Sequence, residues 1–159
     1  MTAVILILLP LTIFAAGFKD LRLDPAENVT EAELHYVTPL QTNSVAVLIL
    51  FPGCNGNGKT LIQKREWLDY AASNRLELAG VSFKSDVDQL KNGKGYYYPD
   101  QGSGAMLLKA IDSVYRGNIP LILYGFSGGA HFVSRFAEWK PERVAAWCAY
   151  SAGWWNDPK

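Results

Sequence analysis

Residues 121–132 read LILYGFSGGAHF. The opening four residues are apolar and suit a strand buried on both faces, and the stretch Gly128–Trp139 repeats its apolar residues at helical spacing. Between the two lies Gly125-Phe126-Ser127-Gly128-Gly129, a G-x-S-x-G motif, so the chain has to pass from strand to helix at one residue. A turn that tight forces the serine into a strained conformation. Side chains two residues before and after it would strike the adjoining strand and helix, and glycine at 125 and 129 removes that collision. The Ser127 hydroxyl is then expected to stand above the sheet, with the Gly128 N–H opening a helix N-terminus toward developing negative charge. The alternative reading of the same residues is a plain glycine-rich turn in which Ser127 only caps a helix.

Working outward, short apolar runs alternate with helical patterns. Strands are expected at Leu34–Val37, Ser44–Phe51, Leu78–Phe83, Pro120–Tyr124 and Val144–Tyr150, and helices at Thr60–Leu76, Ser103–Tyr115 and Gly128–Trp139, with Lys84–Asp100 a long loop. Strands separated by helices of this length imply right-handed crossovers. The expected fold class is α/β: a three-layer sandwich with a mostly parallel central sheet, covered on both faces. In such sheets the chemistry lies beyond the carboxyl ends of the strands, here in the loops opening at Pro52, Lys84, Gly125 and Ser151.

Composition narrows the function. The chain of 159 residues has 15 Lys+Arg against 15 Asp+Glu, so it lacks the cationic excess of a nucleic-acid binder. With 49% hydrophobic residues it has enough apolar surface to fold as one domain. Two cysteines and two histidines, His35 and His131, supply metal chemistry poorly, and neither metal nor cofactor is expected.

A second motif competes with the first. Gly53-Cys54-Asn55-Gly56-Asn57-Gly58-Lys59-Thr60 satisfies G-x-x-x-x-G-K-[ST] between a strand and a helix. As a nucleotide-binding loop it would wrap backbone N–H groups around phosphates, with Lys59 on the outer phosphates and Thr60 on magnesium. That chemistry also needs an acidic residue ending another apolar strand, and the strands run instead into Pro52, Lys84, Gly125 and Ser151. In a serine hydrolase the same glycines let the loop beside the serine turn approach a substrate oxygen and offer a second N–H. One hydrolytic reading accounts for both motifs, whereas the nucleotide reading leaves the serine turn idle.

From Val45 to Trp155 the chain resembles the α/β-hydrolase fold. LILFPGCNG resembles its third strand and oxyanion loop, LILYGFSGGAHF its fifth strand and nucleophile elbow, and ERVAAWCAYSAGWW its sixth strand. With YYYPDQGSG ahead of the preceding helix, it is similar to secreted esterases of the feruloyl-esterase and polyhydroxyalkanoate-depolymerase type. The resemblance implies Ser127 as nucleophile, the backbone N–H groups of Gly128 and Cys54 as oxyanion donors, and a small-molecule or polymer ester as substrate. The chain departs from the family in opening the oxyanion loop with Pro52-Gly53 instead of His-Gly. It departs again after Ser127, where the family's acid and late histidine are expected and no histidine follows His131. Asp157 falls where a minority of the family has its acid. The expectation is a hydrolase lacking its last strands, the N-terminal part of a longer protein. A hydrolase-fold binding protein without chemistry is a further alternative.

The remaining expectations concern the ends and the aromatics. Residues 1–17 read as a signal peptide or N-terminal anchor, with small residues up to Gly17 but no basic residue at the front. This predicts a secreted or periplasmic domain over 18–159, with no membrane contact beyond that anchor. A buried strand or helix is the other reading of the leader. Asn28-Val29-Thr30 matches a glycosylation acceptor. Tyr97, Tyr98 and Trp154 are expected to wall a substrate pocket beside Ser127. Cys148 is expected to be a buried apolar side chain not bonded to Cys54, His35 to lie on an edge strand, and His131 to point along its helix instead of toward the serine hydroxyl.

Overall fold

The computed structural model describes residues 17–38, 40–115 and 117–153. Its centre is one six-stranded sheet in the order β1-β2-β4-β3-β5-β6. The strands are β1 (Gly17–Arg22), β2 (Glu31–Thr38), β3 (Ala46–Phe51), β4 (Leu76–Lys84), β5 (Leu121–Phe126) and β6 (Val144–Tyr150). β4, β3, β5 and β6 are mutually parallel, while β2 runs antiparallel to β4 and β1 antiparallel to β2. The helices are α1 (Lys59–Ile62), α2 (Arg65–Ser73), α3 (Val87–Lys91), α4 (Ser103–Val114) and α5 (Gly128–Trp139).

β3 shows why the fold has three layers. All six of its residues are buried, and alternation sends them to opposite faces. Val47, Ile49 and Phe51 join Leu107, Ile111, Phe132 and Phe136 in a core under α4 and α5. Ala46, Leu48 and Leu50 join Ile62 and Ala71 in a second core under α1 and α2. Phe51 stacks on Phe132 with ring centroids 4.7 Å apart.

Several expectations need correction. The single helix expected over Thr60–Leu76 is two, because Lys64 is extended (φ −71°, ψ 132°), and Leu76 already belongs to β4. The expected loop after β4 holds α3 and a 3₁₀ turn at Pro99–Gln101. The strand at Gly17–Arg22 was not anticipated, and it moves His35 from the sheet edge to the second strand, where it is 2% exposed. Cys148 is exposed instead of buried, because among the described residues β6 pairs only with β5 and is the outermost strand on that side; both cysteines are free thiols. Asn28 is 3% exposed and its amide donates to Gly95 O, Tyr98 O and Ser103 Oγ, so it has no room for a glycan in this fold. Residues 1–16, Trp154 and Asp157 lie outside the described residues. Among the described residues no helix is long and apolar enough to cross a membrane.

One buried charge makes a testable case. Glu77 on β4 is buried and accepts the Gln41 N–H at 2.8 Å. Burial pushes its carboxyl pKa up, against the opposing pull of the bonds from Gln41 and Ser44. An acid with a folded pKa above its unfolded one destabilises the fold once pH rises through that interval. Glu77→Gln keeps the acceptor and removes the charge. It is expected to stabilise the protein by about 1 kcal/mol at pH 7, with the gain fading as pH falls to 4, as thermal melts at both pH values would register.

Candidate functional site

β5 delivers Ser127 to the carboxyl edge of the sheet, and α5 starts at the next residue. Ser127 has φ 50° and ψ −111°, a conformation that L side chains avoid. It is held there by backbone bonds on both sides: its N–H donates to Tyr150 O at 2.9 Å, and its carbonyl accepts Ala130 N–H at 3.0 Å. The glycines around it are sterically required. A Cβ on Gly125 would run into the Gly129 carbonyl, and one on Gly129 would come within 2.5 Å of Phe51 O and 2.6 Å of Pro52 O. Gly129 N–H donates to that Pro52 carbonyl at 3.0 Å, locking α5 onto the loop after β3.

That loop lies against the turn. A Cβ on Gly53 would be 3.8 Å from Ser127 Cβ, and one on Gly128 would meet Cys54 N at 2.7 Å and the Tyr97 hydroxyl at 2.8 Å. Ser127, Gly128 and Cys54 are therefore brought together, with Ser127 half-buried and Cys54 exposed. Among the described residues neither the Gly128 N–H nor the Cys54 N–H is donated to an acceptor. Two unengaged amides beside a strained serine at a helix N-terminus can bind an anion that forms on an atom attacked by that serine.

Four further amides of the loop are engaged. Asn55 N–H donates to Tyr96 OH, Gly56 N–H to Gly53 O, Gly58 N–H to Ser82 Oγ and Lys59 N–H to Asn57 Oδ1. Lys59 Nζ sits 2.6 Å from Asp20 Oδ2, and Thr60 Oγ1 donates to Asn57 O. Lys59 and Thr60, the side chains that a phosphate and its magnesium would require, are thus already bonded within the protein, as are four of the loop amides.

Tyr97 is 6% exposed. Its hydroxyl lies against Gly128, and burial, then the neighbouring Cys54, pushes its pKa upward. Tyr98 is half-buried, with the Arg135 guanidinium 4.6 Å from its ring centroid. His131 is buried on α5, its Nε2 accepting Gly153 N–H at 3.3 Å. Burial and then the charge of Arg135 hold its pKa down, which suits a neutral ring acting as acceptor. The two nitrogens of His35 lie 2.8 Å from Asp20 Oδ1 and 2.7 Å from Ser82 Oγ.

Sequence reasoning missed Asn55, Ser82, Ser85 and Asn28, which fasten this region. Asn55 exchanges two bonds with Ser85: its amide donates to Ser85 O at 3.0 Å and its Oδ1 accepts Ser85 N–H at 3.1 Å. Ser85 Oγ donates to Asn28 O and accepts Tyr96 N–H, and Asn28 Oδ1 accepts Ser103 N–H. The available signal was a polar residue set within an apolar strand, His35 in ELHYV and Ser82 in GVSF, since a buried polar group requires a partner.

No family model matches the chain, and no curated protein matches it. Solved structures do. The S-formylglutathione hydrolase FrmB of Staphylococcus aureus aligns with a TM-score of 0.62 at 16% identity, over 91% of this chain and 64% of its own. The poly(3-hydroxybutyrate) depolymerase LpqC of Bordetella parapertussis gives 0.66 at 20% identity, over 91% and 55%. A ferulic acid esterase gives 0.60 at 12% identity, over 87% and 60%. The chain thus spans between 55% and 64% of the length of these proteins.

Proposed function

We propose that this chain, whose fold is that of the α/β-hydrolases, belongs to a serine hydrolase that cleaves carboxylic esters through an acyl-enzyme on Ser127. The observation that carries the reading is the strained serine between β5 and α5 with the two unengaged N–H groups of Gly128 and Cys54 beside it. Ser127 Oγ attacks the ester carbonyl, and the negative oxygen of the tetrahedral intermediate accepts bonds from both amides. Collapse expels the alcohol and leaves the acyl group on Ser127. Water then repeats the addition, releases the acid and restores the hydroxyl.

The base that takes the serine proton is assigned to a group outside the described residues, since His35 is bonded at both nitrogens and His131 Nε2 holds Gly153. Residues 1–17 are read as an export signal or anchor, which makes the domain secreted or periplasmic, acting on a small-molecule or polymer ester. With Lys59 held by Asp20 and the Gly58 and Lys59 amides bonded within the protein, the site does not favour the nucleotide-binding alternative.

Treating the intact protein from its own host with a fluorophosphonate and mapping the adduct by mass spectrometry tests the proposal. The adduct is expected on Ser127 and absent from Ser127→Ala. A folded protein that takes no adduct, or takes it elsewhere, overturns the reading in favour of a binding protein or another nucleophile.

A further inference from the structure

Lys59 and His35 take no part in the ester chemistry proposed above, and the structure joins them. Asp20 on β1, His35 on β2 and Ser82 on β4 form a chain of short contacts: His35 Nδ1 to Asp20 Oδ1 at 2.8 Å and His35 Nε2 to Ser82 Oγ at 2.7 Å. An ionised Asp20 can only accept, so Nδ1 bears the proton. The Ser82 hydroxyl, bonded to Nε2, also faces Asn57 Oδ1 at 3.4 Å and accepts the Gly58 N–H, 2.9 Å away.

The chain closes on itself. Lys59, the next residue after Gly58, returns its ammonium to the second Asp20 oxygen at 2.6 Å. The ring Asp20–His35–Ser82–Gly58–Lys59–Asp20 ties the last residue of the loop and the first of α1 to three strands. Both carboxylate oxygens are engaged, and the bonds from Lys59 and then His35 hold the Asp20 pKa below its usual range. The order of groups is that of a serine–histidine–aspartate relay, yet its serine faces the backbone of the loop. Gly58 meets Gly80 there, backbone against backbone, where a Cβ on either would collide with the other strand or loop. The loop so held is the one that offers the Cys54 N–H to Ser127, and Asn55 fixes its near end through Ser85.

We propose, on the basis of the hydrolase reading above, that His35 is a positioning residue for the reaction: held by Asp20, it fixes through the Ser82 hydroxyl the Gly58 end of the loop whose Cys54 N–H receives the oxyanion. The ring acts on the transition state through the aim of that amide. Its loss should therefore fall on kcat, since displacement of such a donor by about 1 Å is enough to slow an enzyme on the order of a hundredfold.

Turnover of p-nitrophenyl acetate by the intact protein decides it, compared for wild type, Ser82→Ala, Ser82→Thr and Ser127→Ala. Ser82→Ala is expected to lower kcat by about tenfold to a hundredfold with KM within about twofold, and Ser82→Thr, which restores the hydroxyl, to recover most of the rate. An unchanged kcat in Ser82→Ala, with Ser127→Ala inactive, overturns the positioning role and leaves the hydrolase reading standing. Full activity in Ser127→Ala overturns both. A fluorophosphonate adduct on Ser82 would also end the proposal by making that serine a nucleophile. Amide hydrogen exchange of wild-type Gly58 gives a second measure independent of the variants: slow exchange is expected, and exchange at the rate of an open loop contradicts the clamp.

Discussion

Ser127→Gly should melt at a higher temperature than the wild type while losing ester turnover. The native residue sits at φ 50°, ψ −111°, and holding a side chain in such a region costs about 1–3 kcal/mol. Glycine relieves that strain but loses more backbone entropy on folding, about 0.5–1 kcal/mol. The balance favours the variant by about 1 kcal/mol, or roughly 3 °C for a domain of this size. On the proposed mechanism, removing this hydroxyl should lower kcat by about 10⁴-fold or more. Ser127→Ala is the control that separates the two effects, because alanine retains the strain and loses only the hydroxyl. It should be inactive without the thermal gain. If Ser127→Gly melted below Ser127→Ala, the strain assigned to this turn would be refuted.

Gly129→Ala should have the largest effect on stability. The added methyl would lie 2.5 Å from Phe51 O and 2.6 Å from Pro52 O. Both are backbone atoms at the end of a fully buried strand, so no rotamer change relieves the contact. α5 must move away from β3, which breaks the Gly129–Pro52 bond and disturbs the Phe51–Phe132 stack. Overpacking of this kind costs about 3 kcal/mol, equivalent to a fall of roughly 6–12 °C in melting temperature. Gly117→Ala is the matched comparison, since a Cβ there meets nothing within 4 Å, and it should melt close to wild type. Equal melting temperatures for the two variants would show that the α5–β3 approach is looser than these distances indicate.

Much of this architecture was legible because it is written locally. The buried run 46–51 and the glycines around Ser127 specify a strand and a sharp turn by their own chemistry, and these positioned the site. Properties set by distant residues were not legible. Leu61, Trp67 and Leu68 repeat at helical spacing across 60–76, and periodicity does not register one extended residue at Lys64. The run Tyr96-Tyr97-Tyr98 reads as a pocket wall from composition, but Tyr96 and Tyr97 are buried because Asn55, Ser85 and Gly128 close over them. The partners of His35 lie at positions 20 and 82, and the first belongs to a strand whose start merges into the apolar run at residues 3–18 of the sequence. Burial of Cys148 would need a neighbour beyond β6, about which its own alternating pattern is silent.

The outer strand has a practical consequence. Val144–Tyr150 (VAAWCAY) carries no charge and no proline, pairs on one side only among the described residues, and leaves Trp147 and Tyr150 at 51% and 60% exposure beside a free thiol at Cys148. Soluble proteins usually protect such a seam with lysine, proline or a bulge. An unguarded strand of this kind is a template for intermolecular β-pairing, and oxidation at Cys148 could then crosslink the resulting aggregates. Purification of this polypeptide accordingly calls for low concentration and a reducing buffer, and the state of the seam governs solubility independently of the chemistry at the serine.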